Sequence, residues 1–265
     1  MTIGIGVFGA SGRVGRKVIE VCAQDGQFEI VSAMSRAAKG IDAGVLAGVG
    51  TLGVEIVENI DLVVGTADVC IDFTHPSATK VLLQSCVGAN KPLVIGTTGF
   101  NSEALDDIGE AAHHIPIVQA PNMSVGVNLC FSLIAQAAKA LGDDVDIEII
   151  EAHHRNKLDA PSGTAVKMGE VIAEVLGRDL SQCAVYGREG QVGARDRSVI
   201  GFETIRGGDI VGEHTVLFAG DGERVEISHR SSTRMNFARG ALRAAKWLLG
   251  KRTGLFTMRD VLGLA

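Results

Sequence analysis

The opening stretch constrains the fold more than any other. Ile3, Ile5 and Val7 alternate with small residues, GASGRVGR follows at once, and Val14, Val18, Ile19 and Cys22 then recur at helical spacing. This order is a strand, a glycine turn and a helix. Glycine suits such a turn because the chain must reverse tightly, backbone N–H groups must approach a pyrophosphate, and the helix must pack close. Gly9, Gly12 and Gly15 stand at those positions, with Ser11 where the commoner fingerprint has its second glycine. By itself the triplet is equally a structural turn; its place between a strand and a helix favours a dinucleotide.

The next strand, EIVSAM, is expected to end near Met34, where the fingerprint has an acidic residue for the ribose hydroxyls. Ser35 and Arg36 stand there instead. A carboxylate would repel a 2′-phosphate, whereas a hydroxyl and a guanidinium can bond to it, so NADPH is expected in preference to NADH, with NADH possible but weaker. The glycine-rich stretch from Ala37 to Leu62 reads as a mobile loop with one short strand. Further strands follow at VCIDF (69–73), 92–95 and 115–119, the second ending in GTTGF and the third in APNMS. Strands alternating with helices predict a Rossmann-like, doubly wound parallel sheet to about residue 122.

A long apolar helix from Val125 to Leu141 then leads to a different pattern. DVDIEII, SVIGFETIRG, IVGEHTVLFA and ERVEISHR alternate apolar and polar residues between glycine-containing turns, as in a mixed, mainly antiparallel sheet. The chain is thus expected to be α/β with a second, α+β domain: residues 1–123 bind dinucleotide, 124–233 bind substrate, and 234–265, beginning with a helix over Met235–Leu249, return to the first domain. Substrate is expected to bind where the domains meet.

The net charge of −6 gives no support for nucleic-acid binding, and any anion site must be local. Five cysteines without a CxxC pair read as buried thiols of a reducing cytoplasm. No basic leader is seen and no uninterrupted apolar run nears the ~20 residues of a membrane span, so no membrane association is expected.

Chemistry concentrates in EAHHRNKLDAPSGTA, residues 151–165. His153, His154, Arg155 and Lys157 stand where a strand ends, and Ser162 is placed to cap a helix that starts at Gly163 and Thr164. Such a helix start presents free backbone donors and suits an anion. A nicotinamide enzyme needs a proton source for the atom that becomes basic as hydride arrives, and either His153 or Lys157 can be that source. His154, Ser162, Gly163 and Thr164 would hold carboxylates. No metal is expected, since there is neither HExxH nor a cysteine pair and neighbouring strand residues face opposite ways. An aldehyde dehydrogenase of the same plan would favour a catalytic cysteine, and none lies near the basic cluster; a non-catalytic NADPH sensor would have no need of Lys157.

Taken with GASGRVGR, DFTHP, GTTGF, APNMSVGVN and GDIVGEHTVLF in order, this segment resembles the 4-hydroxy-tetrahydrodipicolinate reductases, also called dihydrodipicolinate reductases. The resemblance implies a homotetramer built through the second sheet, and reduction of a cyclic dicarboxylate to tetrahydrodipicolinate, with loss of water, in diaminopimelate and lysine biosynthesis. It implies that His153 is proton donor or acceptor and Lys157 proton donor, and that His154, Gly163 and Thr164 bind the dicarboxylate. It places cofactor contacts at Gly9, Ala10, Ser11, Gly12, Arg13 and Val14, at Gly96, Thr97 and Thr98, and at Ala120, Pro121, Asn122 and Met123. Arg36 matches the basic position that meets the NADPH phosphate.

Overall fold

The computed structural model describes residues 2–264, which form two compact units: one of residues 2–125 with 234–264, the other of 126–233. In the first, β1 (Ile3–Phe8) leads through the glycine turn into α1 (Arg13–Gln24) and then β2 (Phe28–Met34). α2 (Ala43–Ala47), β3 (Ile56–Val57), α3 (Ile60–Thr66), β4 (Val69–Asp72), α4 (Pro76–Ala89), β5 (Leu93–Ile95), α5 (Ser102–Ala112) and β6 (Pro116–Gln119) follow. All these strands pair in parallel, in the order β6-β5-β4-β1-β2-β3. Residues of one strand divide between two cores, as a sheet covered on both faces requires. Ile5 and Val7 lie with Val18, Ile19 and Cys22 of α1 on one side, while Phe8, Leu93, Ile95 and Ile117 lie with Leu82, Cys86 and Ile108 on the other. Each such side chain contributes ~1.5–3 kcal/mol by leaving water.

The stretch from 37 to 62, expected as a loop with one strand, holds more structure: a 3-10 turn at Arg36–Ala38, α2, β3 and the start of α3. One side chain organises it. Asp42 accepts backbone N–H groups from Gly44, Val45 and Leu52 on one carboxylate oxygen and from Gly53 and Val54 on the other, at 2.8–3.1 Å. Those bonds, that from Leu52 foremost, hold its carboxyl below the usual range. Glycine-rich composition hid this because the ordering group is a single carboxylate remote in sequence from three of its donors.

α6 (Val125–Leu141) carries the chain into the second unit, whose strands are β7 (Asp146–His153), β8 (Ala184–Tyr186), β9 (Ile200–Arg206), β10 (Gly212–Ala219) and β11 (Arg224–Ser231), with α7 (Gly163–Val175) and α8 (Leu180–Cys183) between β7 and β8. The sheet runs β11-β10-β7-β9-β8. It is mixed as expected, but the pairings divide evenly: β11–β10 and β10–β7 are antiparallel, β7–β9 and β9–β8 parallel. The parallel half follows from the α7 crossover and from β8, a three-residue strand too short to register as a pattern. One sheet face, with Ile147, Ile149, Phe202, Val216 and Phe218, packs against Cys130 and Ile134 of α6 and Ala165, Met168 and Ile172 of α7.

With the turn that follows it, α6 makes a 20-residue helix, Val125–Asp144, that is long and apolar enough by length and composition to cross a membrane, at mean hydropathy 1.4. Valine, leucine, isoleucine, phenylalanine, cysteine and alanine maintain that average although Asn128, Gln136 and Lys139 interrupt them, which is why no uninterrupted apolar run was visible. The chain returns to the first unit through α9 (Met235–Leu248), then β12 (Gly254–Phe256) and α10 (Met258–Leu262). Ala238, Ala241, Leu242 and Ala245 of α9 join the α1 side of the core, and β12 extends the parallel sheet beside β6.

Candidate functional site

In a parallel sheet the C-terminal ends of the strands share one edge, and the first unit gathers its predicted ligand-facing loops there. Gly9–Val14 follow β1, Ser35 and Arg36 follow β2, Gly96–Thr98 follow β5 and Ala120–Met123 follow β6. Glycine at position 9 is a geometric necessity: φ is +80°, and a Cβ would lie 2.3 Å from the Phe73 carbonyl oxygen. Gly15 lets α1 press on the turn, since a Cβ there would meet Gly9 O at 2.2 Å. α1 starts at Gly12 with no side-chain cap, whereas α2, α3, α4 and α5 are capped by Asp42, Asn59, His75 and Asn101. The donors at the head of α1 are therefore uncontested by any cap, as an anion there requires.

Ser11 Oγ and Ser35 Oγ are 2.6 Å apart, tying the glycine turn to the end of β2. Arg36 is exposed beside them. Asp72, to which no role was assigned from sequence, is fully buried at the end of β4. It accepts from Thr74 Oγ1 and Thr79 Oγ1, each at 2.5 Å, and from Thr74 N at 3.0 Å, while Thr74 N also donates to Thr97 Oγ1. Burial pushes its carboxyl up against the lowering effect of those hydroxyls. It thus links the loops after β4 and β5. The visible sign was an aspartate ending the apolar run VCIDF.

The second unit places a polar layer on the apolar face of its sheet. β7, β9 and β10 align Ile149, Phe202 and Val216 in one row, and the next core-facing row is Glu151, Thr204 and His214. Beyond it come His153 and Arg206. Glu151 is 1% exposed and has a donor on every side. Its Oε1 accepts from Ser162 N at 3.0 Å, Arg206 Nη2 at 2.7 Å and Thr204 Oγ1 at 3.3 Å. Its Oε2 accepts from Arg206 Nη1 at 2.8 Å and bonds His153 Nδ1 at 2.6 Å. Burial alone would raise this carboxyl; the Arg206 guanidinium and His153 prevail and hold it below the usual range.

An ionised Glu151 requires His153 to donate from Nδ1, which leaves Nε2 as the ring nitrogen open to a ligand. Burial lowers the His153 pKa against the raising effect of Glu151, with Lys157 and Arg206 adding to the fall. The two partners' opposite preferences are compatible, because a neutral imidazole still donates to the carboxylate. Arg206 is the resident cation. A turn closed by Lys157 N to His154 O, 3.1 Å, folds the basic run back on itself, and Lys157 Nζ sits 2.8 Å from both oxygens of Asp159.

Ser162 is 2% exposed and caps α7 by accepting from Ala165 N at 3.1 Å. Its Oγ is also 2.8 Å from Nε2 of His214, whose ring meets that of His153 edge-on at 5.1 Å between centroids. Gly163 and Thr164 form the first turn of α7, and His154 lies half-buried at the end of β7. Every predicted substrate or acid residue is thus in this unit, and every predicted cofactor residue in the other. Glu151, Arg206 and His214 were missed as functional. Their signal was present: Glu151 continues the alternation of Ile147 and Ile149, and His214 that of Val216 and Phe218, so each puts a polar group where an apolar one is due. Among the described residues no group of three or more His, Cys, Asp or Glu stands where it could hold a metal ion.

Comparison with known proteins gives a consistent result. The family model described as dihydrodipicolinate reductase, N-terminus, matches residues 3–123, and that described as dihydrodipicolinate reductase, C-terminus, matches 126–262. A 4-hydroxy-tetrahydrodipicolinate reductase of Alkalilimnicola ehrlichii is 56% identical over 267 residues, covering 100% of each chain. A dipicolinate-bound dihydrodipicolinate reductase from Paenisporosarcina sp. TG-14 superposes with a TM-score of 0.78 at 26% identity, covering 98% of this chain and 99% of that one. An amine dehydrogenase from Mycobacterium smegmatis, at TM-score 0.60 and 12% identity over 97% and 95% of the two chains, shares the fold alone.

Proposed function

The chain belongs to the dihydrodipicolinate reductase family, a family of nicotinamide-dependent reductases, and from that premise we propose that it reduces 4-hydroxy-tetrahydrodipicolinate to tetrahydrodipicolinate with a proton from Lys157 or His153. The observation that carries this reading is the wiring of His153: its Nδ1 is held by buried Glu151, so the ring is fixed and only Nε2 can face a ligand. A nicotinamide bound by the first unit would supply the hydride. Gly9–Val14 at the uncapped head of α1 would hold its pyrophosphate, with Gly96–Thr98 and Ala120–Met123 lining the same sheet edge.

In the second unit Ser162, Gly163 and Thr164 at the head of α7, with His154, would hold the carboxylates of the substrate. Lys157, charged and paired with Asp159, carries a proton at Nζ. His153, whose charged form burial disfavours, is a ready acid once protonated at Nε2. Ser35 and Arg36 supply a hydroxyl and a guanidinium, and no carboxylate, where a ribose 2′-phosphate would lie, which favours NADPH over NADH. A homotetramer formed through the mixed sheet belongs to the same reading. Its support is the apolar content of the face opposite the core, where Ile205 is 51% exposed and Ile150 and Leu217 are half-buried. A cytoplasmic location agrees with five free thiols, four of them buried.

The test supplies the condensation product of pyruvate and aspartate semialdehyde and follows NADPH oxidation. Turnover is expected. An intact protein that binds NADPH and does not turn over would instead be a sensor.

A further inference from the structure

His214 has no part in the proton transfer just described, yet it is 4% exposed in the middle of the substrate unit and contacts both the capping serine and the acid histidine. Its hydrogen bonding is unusual. Nε2 faces Ser162 Oγ at 2.8 Å, while Nδ1 is buried without a partner. Burial, reinforced by the neighbouring charge of His153, lowers its pKa to about 3, so the ring carries a single N–H at neutral pH. Two tautomers are available. With the proton on Nδ1, a buried donor would be orphaned, a rare arrangement in folded proteins; with the proton on Nε2, only a lone pair goes unsatisfied, which is the more tolerable defect. The proton therefore sits on Nε2 and is donated to Ser162.

This decides what Ser162 can do. Its oxygen accepts from His214 Nε2 and from Ala165 N, 3.1 Å away, so both lone pairs are occupied. Its backbone N–H is spent on Glu151. The hydroxyl hydrogen alone is uncommitted, and it must point along the remaining tetrahedral direction. In the other tautomer that hydrogen would be consumed by His214. Resting on the proposed function, and deepening it, we propose that His214 is a positioning residue for substrate: by occupying the Ser162 oxygen as an acceptor, it turns the hydroxyl into a donor for a carboxylate of the cyclic dicarboxylate. The same contact, with the edge-on ring, holds His153 against rotation about its bond to Glu151.

The probe is dipicolinate, a planar dicarboxylate, bound to the full-length protein with NADPH present, alongside steady-state kinetics on the condensation product. His214→Phe keeps a ring in the core and removes the donor. It is expected to weaken dipicolinate binding and raise KM about tenfold or more, as loss of a hydrogen bond to a charged group does, with NADPH affinity unchanged. His214→Gln, whose Nε2 also donates, is expected to recover most of the affinity. Ser162→Ala is expected to cost as much as His214→Phe, and the double variant no more than either alone. Melting temperatures separate this from a packing role, which would lower stability in all variants without the rescue by Gln. Dipicolinate bound equally well by the parent and His214→Phe, or additive effects of the two substitutions, overturns the assignment while leaving the reductase reading intact. A parent protein that binds NADPH but neither binds dipicolinate nor turns over overturns both.

Discussion

Two helices start at strand ends and face opposite demands. α1, at the glycine turn of the first unit, has no side-chain cap and no side chain at Gly9 or Gly12, so its donors are backbone only. α7, in the second unit, starts at a serine held by Glu151, Ala165 and His214 at once. The difference matches the ligands proposed for each. A pyrophosphate is large and multiply charged, and needs close approach to a ring of N–H groups, for which every side chain is an obstacle. A small dicarboxylate that must receive a proton at one atom needs donors fixed in direction, and only side chains locked by buried partners supply that. One site is made by leaving residues out, the other by wiring them in.

The strongest way to break the contrast is to remove a wired group and ask whether the other unit notices. Lys157→Ala is expected to lower kcat by about 10²–10⁴, the usual worth of a general acid, while the NADPH dissociation constant stays within about twofold. An unimpaired rate would remove the lysine from the mechanism, and lost NADPH binding would show that the two sites are not separable in this way. Steady-state oxidation of NADPH reads the first, and an equilibrium titration of the variant with NADPH the second.

Acid sharpens the comparison at smaller cost per step. His214 titrates near 6.5 when unfolded and at about 3 when folded, so the unfolded chain binds more protons between those values. Its contribution is fully present above about pH 6.5 and is lost as pH falls toward 3, at up to about 1.4 kcal/mol per pH unit. The lowered pKa of His153 acts in the same direction, and Glu151, also lowered, joins below its usual 4.5. Urea unfolding between pH 7 and pH 5 is expected to show this slope, and His214→Gln to flatten it. A parent protein equally stable across that range would contradict a neutral, buried His214.

The smallest effect is expected where the first unit does use a side chain. Arg36→Glu is expected to reverse a preference for NADPH, by about tenfold in the ratio of kcat/KM for the two cofactors, because a carboxylate repels a 2′-phosphate and accepts from the ribose hydroxyls. An unchanged ratio would mean that Arg36 is only a solvated surface group.

Much of the first site was legible because it rests on local rules. Gly9 and Gly15 in the turn, the strand before them and the helix after them are neighbours in sequence, and the missing acid at Ser35 is read by counting. The capping role of Ser162 was legible for the same reason, since a cap bonds three residues ahead. The stretch around Asp42 was not, because its carboxylate gathers donors up to Val54 and composition there suggests only flexibility. β8 was missed as too short for any period, and the parallel pairing of β7 with β9 as a matter of which strands meet. Glu151 and His214 were visible only as breaks in an apolar alternation, with nothing in their own surroundings to say what they face.

Sequence alone determined the alternation of strands and helices, the glycine turn, the basic cluster beside a helix start, and a likeness to one family strong enough to suggest its chemistry. Those features depend on residues within a turn or two of each other, or on a motif carried whole. Tertiary structure decided the rest: that Glu151, Thr204 and His214 share a row across three strands, that Arg206 neutralises the buried carboxylate, and that His214 reaches Ser162 across 52 residues of chain. The physical reason is that register between strands is set by packing of the whole sheet, and a hydrogen bond acts only at the distances register creates.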